Sequence, residues 1–485
     1  MIGSDDLKKI SGFYRNIPKG VKASVAFFIA SLITKGIAYI TTPIYTRLLT
    51  PDQYGQTSLF LTWLNVFGII AMFNLQAGVF NNGMVDYPDK RDDYSFSMLI
   101  LSNIITAVFA TVLLSVYPLI KPWVQLDWSF VLLMIVIFMF QPAYNFWTSR
   151  QRYEYKYKST VIWSVLSAFL SPLAAVMLLV FTSFDPLYSR IFGAEVTLLV
   201  IYIGFYFYLG KKNQWKINTK YWKSAFLFNL PLLPHYLSTY LLGSLDKVMI
   251  SNLINNTATA YYSVAYSVAS VVLIIWSAVN GSLIPYTYEK CKENDHASIS
   301  KVTLPILSLF AIACMMVIIL APEVVWIMAT SDYSEAIYVI PPIVGGVFFQ
   351  VQYYIYANVV YYYKKPKFVM FASVIATVLN LILNFIFIPM FGYIAAGYTT
   401  LVCYLVQALI DYFAMKKVVG KDIYNMKFVF ALSSIVILIS LVSNLIYDLP
   451  VVRYMILAVS VVLMVIFRKK IMGILKNVRK KKKTD

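Results

Sequence analysis

The segment Ala23-Ser-Val-Ala-Phe-Phe-Ile-Ala-Ser-Leu-Ile-Thr-Lys-Gly-Ile-Ala-Tyr-Ile-Thr-Thr-Pro-Ile-Tyr-Thr46 decides the fold, because almost every residue in it is apolar. As an α-helix it is long enough to cross the ~30 Å hydrocarbon core of a membrane. Pro43 then interrupts the helical hydrogen bonds, and the run Arg47-Leu-Leu-Thr-Pro-Asp-Gln-Tyr-Gly55 is typical of a turn. The stretch from Val21 to Phe60 therefore predicts a membrane-spanning helix, a turn, and the start of a second span.

Lys35 places a charge near the middle of this first span. It shares one helical face with Ser31, Thr42 and Thr46, because the four residues follow steps of four or seven. An ammonium group at the centre of a bilayer costs at least ~2.5–3.5 kcal/mol, so it should face protein or a hydrated cavity. Two interpretations stay open: Lys35 lines a polar pathway, or it snorkels or pairs inside a helix bundle.

The composition indicates an all-α polytopic membrane protein. The chain has 485 residues, of which 60% are hydrophobic and 13% charged, and its mean hydropathy is +0.70. Its three cysteines are scattered and show no metal or redox spacing, so we expect no cofactor. The first twenty residues mix acids and bases without a cleavage site, which predicts an uncleaved first helix rather than a signal peptide.

Hydrophobic runs of roughly 20 residues predict about fourteen transmembrane helices. The predicted spans are 23–46, 56–81, 94–118, 128–149, 159–182, 188–210, 224–249, 257–286, 302–322, 336–362, 367–389, 393–415, 427–446 and 450–467.

The positions of the basic residues orient these spans. With the amino terminus inside, all but six of the 41 Lys and Arg residues lie in inner segments. The six others are Lys35 and the outer residues Arg47, Lys121, Arg190, Lys247 and Arg453. This positive-inside pattern predicts cytoplasmic amino and carboxyl termini in a multi-pass protein. It also explains the net charge of +19 without a nucleic-acid partner, and the basic tail is predicted to contact anionic membrane lipids.

The short connections between spans exclude several classes of function. They leave no room for a soluble catalytic or nucleotide-binding domain, and the sequence has no Gly-Lys-Ser/Thr phosphate loop. The only histidines are His235 and His296, and no serine has a histidine and an acid in a recognised catalytic arrangement. We therefore expect a transporter rather than an enzyme.

An internal repeat predicts two lobes. Shifting the chain by about two hundred residues aligns Lys35 with His235 and Arg47 with Lys247. Six spans per repeat predict two pseudo-symmetric six-helix lobes of equal orientation, facing each other across a central cleft, plus two carboxyl-terminal helices. The predicted segments are a cytoplasmic amino terminus (1–22), an amino-terminal lobe (23–210), a cytoplasmic loop (211–223), a carboxyl-terminal lobe (224–415), two further spans (416–467) and a basic cytoplasmic tail (468–485).

Several motifs resemble one family along nearly the whole chain. Thr34-Lys-Gly-Ile-Ala-Tyr-Ile-Thr-Thr-Pro-Ile-Tyr-Thr-Arg-Leu-Leu-Thr-Pro-Asp-Gln-Tyr-Gly55 resembles the opening signature of the bacterial polysaccharide-repeat-unit (Wzx-like) flippases. Pro231 through Lys247 resembles their seventh span. Asn380-Leu-Ile-Leu-Asn384, Pro389, Gly392 and Ala396-Gly397 resemble their eleventh and twelfth spans.

The resemblance implies a member of the MOP superfamily, which also holds the MATE exporters and the lipid II flippases. It implies a V-shaped, MATE-like pair of lobes in the bacterial inner membrane. Such a protein moves undecaprenyl-diphosphate-linked oligosaccharide repeat units for O-antigen or capsule outward by alternating access, coupled to an ion gradient. Polysaccharide polymerase and chain-length proteins are then candidate partners.

A doubly anionic head group requires cations, and Lys35 and Arg47 are the candidates. For Arg47 an interfacial anchor is an equally good interpretation. The coupling candidates are His235, Asp246 and Glu195, because histidine titrates near neutral pH and acids are rare within the spans.

For each of these groups a simpler role is also open. His235 would then be a packing histidine, and Asp246 would form an interfacial ion pair with the adjacent Lys247. Glu195 would pair with Lys35 inside one lobe. Two further acids, Glu323 and Asp411, are predicted to be solvated helix ends.

Polar side chains from both lobes are predicted to line the cleft, although hydrogen bonding between helices explains any single one of them equally well. They are Ser31, Thr42, Asn65, Gln76, Gln141, Asn145, Thr239, Asn280, Gln352 and Asn358.

Two rival functions follow from the same spans. A MATE-like exporter of amphipathic cations needs an acidic cavity, whereas the deepest charge here is a lysine. A membrane polysaccharide polymerase needs a large outer loop, and every outer connection here is short.

Overall fold

The computed structural model describes residues 19–154, 156–462 and 465, and these residues form helices and turns with no strand among them. Eleven of the helices in this part of the chain are long and apolar enough to cross a membrane. The predicted all-α polytopic fold is therefore confirmed. The predicted tail 468–485 and most of the predicted amino-terminal segment 1–22 lie outside the described residues.

The helices of the first half begin with the long helix that contains Lys35. They are α1 (Lys19–Leu48), α2 (Pro51–Ala71), α3 (Val79–Asp86), α4 (Arg91–Val124), α5 (Trp128–Tyr153), α6 (Tyr157–Phe181), α7 (Pro186–Lys212) and α8 (Trp222–Asn229).

The second half continues through short helices into long ones. These are α9 (Leu233–Leu241), α10 (Leu245–Leu253), α11 (Asn256–Lys292), α12 (His296–Ile319), α13 (Ala321–Met328), α14 (Ile340–Tyr362), α15 (Pro366–Phe391), α16 (Tyr393–Val419), α17 (Met426–Val442) and α18 (Pro450–Val462).

Eleven of the fourteen predicted spans correspond to the eleven long apolar helices. Among the described residues, the other three do not form a long apolar helix. The predicted span 56–81 corresponds to α2, which begins and ends earlier. The predicted span 224–249 is divided into α8, α9 and α10. Pro231 and Pro234 both lie at the first of these junctions, between α8 and α9, where their missing N–H groups prevent one continuous helix. The predicted span 450–467 is represented by α18, and the residues at its end lie outside the described part of the chain.

The chain forms two compact units. Among the described residues, unit 1 contains 19–41 and 67–233, and unit 2 contains 42–66 and the residues from 234 onward. The sequence instead predicts that all of 23–210 belongs to the first lobe. The difference concerns the second part of α1 and most of α2, which are assigned to unit 2.

Direct contacts explain why this hairpin belongs to unit 2. The Thr46 hydroxyl donates to the backbone carbonyl of Met328 at 2.8 Å, and the Tyr333 hydroxyl donates to the carbonyl of Leu49 at 3.0 Å. Thr46 and Tyr333 are both buried. The end of α1 and the turn after it are therefore hydrogen-bonded to the segment that follows α12.

Aromatic side chains fill the core of unit 1. The rings of Phe80 and Phe146 are stacked with centroids 4.5 Å apart, and those of Trp147 and Phe205 lie 4.4 Å apart. These contacts join α3, α5 and α7. Aromatic pairs of this geometry each add about 0.5–1.5 kcal/mol beyond the burial of their area.

The helices α6 and α7 cross at a pair of small residues. A Cβ atom on Gly193 would lie 2.7 Å from the Cα atom of Ala175, which is closer than real Cβ contacts. Small residues let membrane helices approach this closely and gain van der Waals contact along their length. Gly193 therefore sets the distance between α6 and α7.

A charged network joins helix ends of unit 1. Arg150 is buried and bonds to Asp92 and Glu154, while Lys156 bonds to Glu154 at 2.5 Å and Lys212 to Asp92 at 3.1 Å. Burial raises the pKa of the Glu154 carboxyl, but the hydrogen bonds from Lys156 and Arg150 outweigh it, so the pKa lies below its ordinary value. This carboxyl is therefore ionised at neutral pH.

In unit 2, α14 and α16 pack closely. A Cβ atom on Gly397 would lie 2.8 Å from side-chain atoms of both Val339 and Pro342, and one on Gly346 would lie 3.4 Å from the Cα atom of Leu401. These small residues therefore set the distance between α14 and α16.

Candidate functional site

Lys35 is exposed on α1 in this structure. Its amine has no carboxylate partner among the described residues, so the alternative pairing with Glu195 is not formed. Of the residues predicted to share its face, Ser31 is exposed and Thr42 is buried. A cation in an apolar helix without an acid beside it is available to an anionic ligand.

Arg47 lies at the end of α1 and is also exposed. Its guanidinium donates to the backbone carbonyls of Pro43 at 2.7 Å and Ile327 at 3.3 Å. The second of these bonds ties the end of α1 to α13 in unit 2. Both sequence interpretations of Arg47, as anchor and as phosphate ligand, remain compatible with this position.

The seventh predicted span contains the candidates His235, Thr239 and Asp246, and its interruptions place them on two separate helices. His235 and Thr239 lie on α9, where the Thr239 hydroxyl donates to the His235 carbonyl at 2.9 Å. The His235 ring is half-buried, and its Nδ1 atom is buried without a hydrogen-bond partner. Asp246 lies separately, in the first turn of α10.

Asp246 is fully buried and accepts three hydrogen bonds. The Thr400 hydroxyl donates to its Oδ2 atom at 2.6 Å, the Asn384 amide donates to Oδ1 at 2.6 Å, and the Tyr262 hydroxyl donates to Oδ2. These donors come from α16, α15 and α11. Four elements of unit 2 therefore converge on one carboxylate.

A second layer of hydrogen bonds holds these donors. The Asn380 side-chain amide donates to the Thr400 hydroxyl at 3.1 Å, and the Asn384 side-chain amide donates to the Oδ1 atom of Asn380 at 3.2 Å. The Thr399 hydroxyl donates to the Oδ1 atom of Asn384. All of these side chains are buried. We call Asp246, Tyr262, Asn380, Asn384 and Thr400 the Asp246 cluster.

The interfacial ion pair predicted for Asp246 is wrong. No salt bridge joins it to Lys247 among the described residues, and its side chain is entirely enclosed. Adjacent residues on a helix point in different directions, and Lys247 lies 5.5 Å from the ring centroid of Tyr266. The charged amine is thus held over an aromatic face.

Sequence reasoning names Asp246 but misses the residues that enclose it. It includes Asn380 and Asn384 among the residues that carry the family resemblance, but it does not include Tyr262 or Thr400. Four-residue spacing places Asn380 and Asn384 on one helical face, which is the available signal. The spacing does not reveal the acid that they contact, because that acid is more than 130 positions away in the chain.

The other acids are placed as follows. Glu195 is buried on α7, with 7% of its surface exposed. Asp411 is fully buried on α16, so its predicted solvated position is wrong. Glu323 is also not a free solvated end, because Arg453 donates to both of its carboxylate oxygens, at 2.7 and 2.8 Å.

The predicted lining amides are distributed over both units. In unit 1, Gln76 donates to the Ser149 hydroxyl at 3.0 Å, while Gln141 and Asn145 are half-buried. In unit 2, Asn65 is exposed and donates to the carbonyl of Leu61.

Two buried amides of α14 bond to neighbouring helices. Gln352 donates to Ser433 at 2.8 Å, and Asn358 donates to Asn280 at 2.8 Å. Hydrogen bonding between helices accounts for both residues. The assignment of this group to a cleft remains a prediction.

Comparison with known proteins identifies the family. A family model described as "Polysaccharide biosynthesis protein" matches residues 21–291, and one described as "MatE" matches residues 231–386. The "Lsg locus putative protein 1" of Haemophilus influenzae is 25% identical over 74% of this chain and 89% of its own length. The "Probable low-salt glycan biosynthesis flippase Agl15" of Haloferax volcanii is 22% identical over 80% of this chain and 82% of its own length.

Solved structures of the same fold include flippases and exporters. "Lipid II flippase MurJ, inward closed conformation" superposes with a TM-score of 0.65 at 13% identity, covering 92% of this chain and 98% of that one. An inward-facing multidrug resistance MATE transporter of the MOP superfamily gives 0.62 at 12% identity, covering 80% and 94%. Because the first family model spans more than half of the chain, this protein belongs to the polysaccharide biosynthesis protein family, and its fold is that of the MOP superfamily of membrane transporters.

Proposed function

We propose that the protein is a flippase that moves undecaprenyl-diphosphate-linked oligosaccharide repeat units from the cytoplasmic to the outer leaflet by alternating access. Family membership supports the glycan branch, and the relative from Haloferax volcanii is described as a probable glycan biosynthesis flippase. The membrane is the bacterial cytoplasmic membrane, with both termini inside. Anionic lipids contact the basic inner loops and tail.

The observation that carries the proposal is the unpaired charge of Lys35. An exposed ammonium on an apolar helix of membrane length is disfavoured unless water or an anion meets it. A diphosphate supplies that anion, since lysine binds phosphate as a point charge. Arg47, at the end of the same helix, is the other candidate cation for the lipid-linked diphosphate.

The Asp246 cluster supports coupling to an ion gradient. Three hydrogen bonds offset part of the cost of burying the Asp246 carboxylate, and each of their donors lies on a different helix. A shift of α10 against α15 or α16 would remove donors and favour uptake of a proton or cation. We therefore propose Asp246 as the coupling group, with His235 and Glu195 as further candidates.

A MATE-like exporter of small cations is the second candidate, because the "MatE" model matches residues 231–386. The substrates of the two functions have opposite charges, since an exporter of this kind moves cations and a flippase moves an anionic diphosphate lipid. Lys35 on α1 repels a cationic drug and attracts a diphosphate. The lipid-linked saccharide is therefore the better substrate.

The proposed function is tested with the purified full chain in liposomes that contain a fluorescent undecaprenyl-diphosphate oligosaccharide. Access of the head group to a water-soluble quencher or glycosidase reports the leaflet. We expect protein-dependent movement of this lipid, no movement of the same saccharide on a neutral lipid, and no uptake of a cationic dye. Movement of the dye instead of the diphosphate lipid would establish the exporter and contradict the flippase.

A further inference from the structure

A largely apolar cavity of about 430 Å³ lies beside the turn that joins α6 to α7. The two helices cross closely at Ala175 and Gly193, and every residue that lines the cavity lies on the turn side of this crossing. The lining residues are Leu178, Phe184, Asp185, Tyr188, Ser189 and Phe192. The cavity therefore belongs entirely to unit 1.

The helix surfaces beside this cavity are apolar and exposed. Val180 and Phe181 at the end of α6 are 53% and 73% exposed, and Val196 on α7 is 41% exposed. Both helices are long and apolar enough to cross a membrane, and the turn between them then lies where the hydrocarbon meets water. The acyl chains and head groups of membrane lipids are therefore the molecules that lie next to the cavity.

One buried polar atom at the cavity has no partner in the described part of the chain. Ser189 lines the cavity and is 3% exposed, and its hydroxyl makes no hydrogen bond to the described residues. A buried hydroxyl without a partner is disfavoured, because it has lost its hydrogen bonds to water. A ligand with an acceptor oxygen in the cavity would supply the missing partner.

The end of the cavity at the turn carries negative charge. Asp185 is exposed, and its Oδ1 atom caps α7 by accepting from the backbone N–H groups of Leu187 at 2.9 Å and Tyr188 at 3.1 Å. A second exposed acid is close by, because the Tyr188 hydroxyl donates to the Oδ2 atom of Asp127 at 3.1 Å. Neither acid takes part in an ion pair among the described residues. This end of the cavity therefore favours a cationic group.

Aromatic rings form much of the cavity wall. The rings of Tyr188 and Phe192 are stacked with centroids 5.8 Å apart, and Phe184 is 71% exposed. Aromatic faces attract an ammonium group, and they also pack well against hydrocarbon. The wall thus suits a molecule that has an ammonium group at one end and an acyl chain at the other.

We propose that this cavity binds phosphatidylethanolamine, a phospholipid with an ammonium head group. The ammonium lies against the Asp185 carboxylate, and a phosphate or ester oxygen of the same lipid accepts the Ser189 hydroxyl. The two residues are four positions apart on α7, which is about 6 Å, so one lipid reaches both. An acyl chain packs against Leu178 and Phe192. The proposal concerns a membrane lipid bound to one unit and does not depend on the saccharide lipid proposed above.

A cavity in unit 2 provides an internal comparison. It has a volume of about 550 Å³ and lies beside the turn that joins α15 to α16, and none of its lining residues is an acid. Its two hydroxyls are bonded within the protein, since Tyr398 donates to the Ser440 carbonyl at 3.4 Å and Thr399 to the Ala396 carbonyl at 3.0 Å. This cavity should therefore accept acyl chains without selecting a head group.

The test uses the purified full chain in detergent micelles with phosphatidylethanolamine that carries a photoactivatable acyl chain. Mass spectrometry quantifies the cross-linked peptides of the two cavities, 178–192 and 383–402. Unlabelled phosphatidylethanolamine should compete at the first cavity about fivefold better than phosphatidylglycerol with the same acyl chains, as expected for one exposed ion pair. The two lipids should compete equally at the second cavity. Equal competition at the first cavity overturns the proposal.

Asp185→Asn removes the charge and keeps the cap of α7, because asparagine caps helices as well as aspartate does. The preference for phosphatidylethanolamine at the first cavity should disappear in this variant. Asp332→Asn, at an exposed acid of unit 2, is the control and should retain the preference. A preference that persists in Asp185→Asn contradicts recognition of the ammonium group by this carboxylate.

Ser189→Ala separates binding of the lipid from stability of the fold. The variant should weaken competition by phosphatidylethanolamine about two- to tenfold, because the lipid loses one hydrogen bond. Without lipid it should not lower the unfolding temperature, since the hydroxyl has no partner in the described part of the chain. Unchanged competition, or a lowered unfolding temperature without lipid, would contradict the proposal.

Discussion

At the scale of single residues, Lys35 and Asp246 are charges with opposite surroundings. Lys35 is exposed and has no acid within ion-pairing distance among the described residues, whereas Asp246 is enclosed by three donors. An exposed charge on an apolar helix suits transient binding of an anion. An enclosed charge suits a switch that responds when its helices move.

Lys35→Ala should abolish export of surface polysaccharide without lowering the abundance of the protein, because the diphosphate loses its deepest cation. A hydrogen bond to a charged group contributes about 1.5–3 kcal/mol, which corresponds to roughly a 10- to 100-fold loss of affinity. Export is measured by staining of cell-surface polysaccharide.

Lys35→Arg keeps the charge and should retain most of the export. The exposed Lys121→Ala provides a control for the loss of one positive charge. Export at the wild-type level in Lys35→Ala would refute the role assigned to this amine.

Asn384→Ala should destabilise unit 2, because one oxygen of Asp246 loses its amide donor while remaining buried. The expected loss is about 1.5–3 kcal/mol of the free energy of unfolding. The measurement is the unfolding temperature of the detergent-purified protein.

The matched control for this prediction is Asn65→Ala. Its side chain is exposed and donates to the carbonyl of Leu61 in its own helix, so the loss should be within about 0.5 kcal/mol. Equal effects of the two substitutions would show that the Asp246 cluster is not a stabilising network.

At the scale of helices, the sequence predicts the length and apolar character of most helices, but it does not predict where helices are interrupted or which helices contact each other. The predicted seventh span is apolar enough for one helix, yet Pro231 and Pro234 divide it. Asp411 looks like a solvated end because it lies eight residues before the end of α16. It is buried because α14 packs on that face, and a pairing of helices distant in the chain cannot be derived from periodicity.

Gly193→Leu should separate α6 from α7, because a Cβ atom there would overlap the backbone of Ala175. Overpacking of this kind costs about 1–3 kcal/mol or more. Gly204→Leu on the same helix is the control, since no heavy atom lies within 4 Å of its Cβ position. We expect a lowered unfolding temperature for the first variant only, and similar temperatures for both would contradict the close crossing.

The ion pair between Glu323 and Arg453 should make stability depend on pH. Burial raises the pKa of the Glu323 carboxyl, but the hydrogen bonds from Arg453 outweigh it, so its pKa lies below the ordinary value. A lowered pKa in the folded state contributes stability at neutral pH that is lost as the pH falls through that pKa. The pair joins α18 to α13, and Arg453 also donates to the Ile319 carbonyl at the end of α12.

Glu323→Gln should therefore lower the unfolding temperature at pH 7 and have little effect at pH 3. Asp332→Asn, at an exposed acid in the same unit, should have little effect at either pH. An equal loss at both pH values would show that the ion pair does not supply the pH dependence.

At the scale of the whole molecule, composition and charge asymmetry predict the class of protein, and the all-α polytopic fold confirms it. The motifs around Lys35 and Asn380 predict the family, which the family model confirms. The assignment of residues 42–66 to unit 2 is not predicted, since it depends on hydrogen bonds to carbonyls about 280 residues away. Backbone carbonyls are present at every position, so the sequence carries no signal for such contacts.

The most direct measurement of the central claim, that α1 carries a water-accessible cation on the route of an anionic lipid, is the labelling of Lys35→Cys. The three natural cysteines are buried, so the introduced thiol can be followed with a membrane-impermeant maleimide in reconstituted vesicles. We expect labelling from water that is slowed by undecaprenyl-diphosphate oligosaccharide and not by the same saccharide on a neutral lipid. Labelling only by a membrane-permeant reagent, unaffected by the diphosphate lipid, would place this residue in the hydrocarbon and contradict the account.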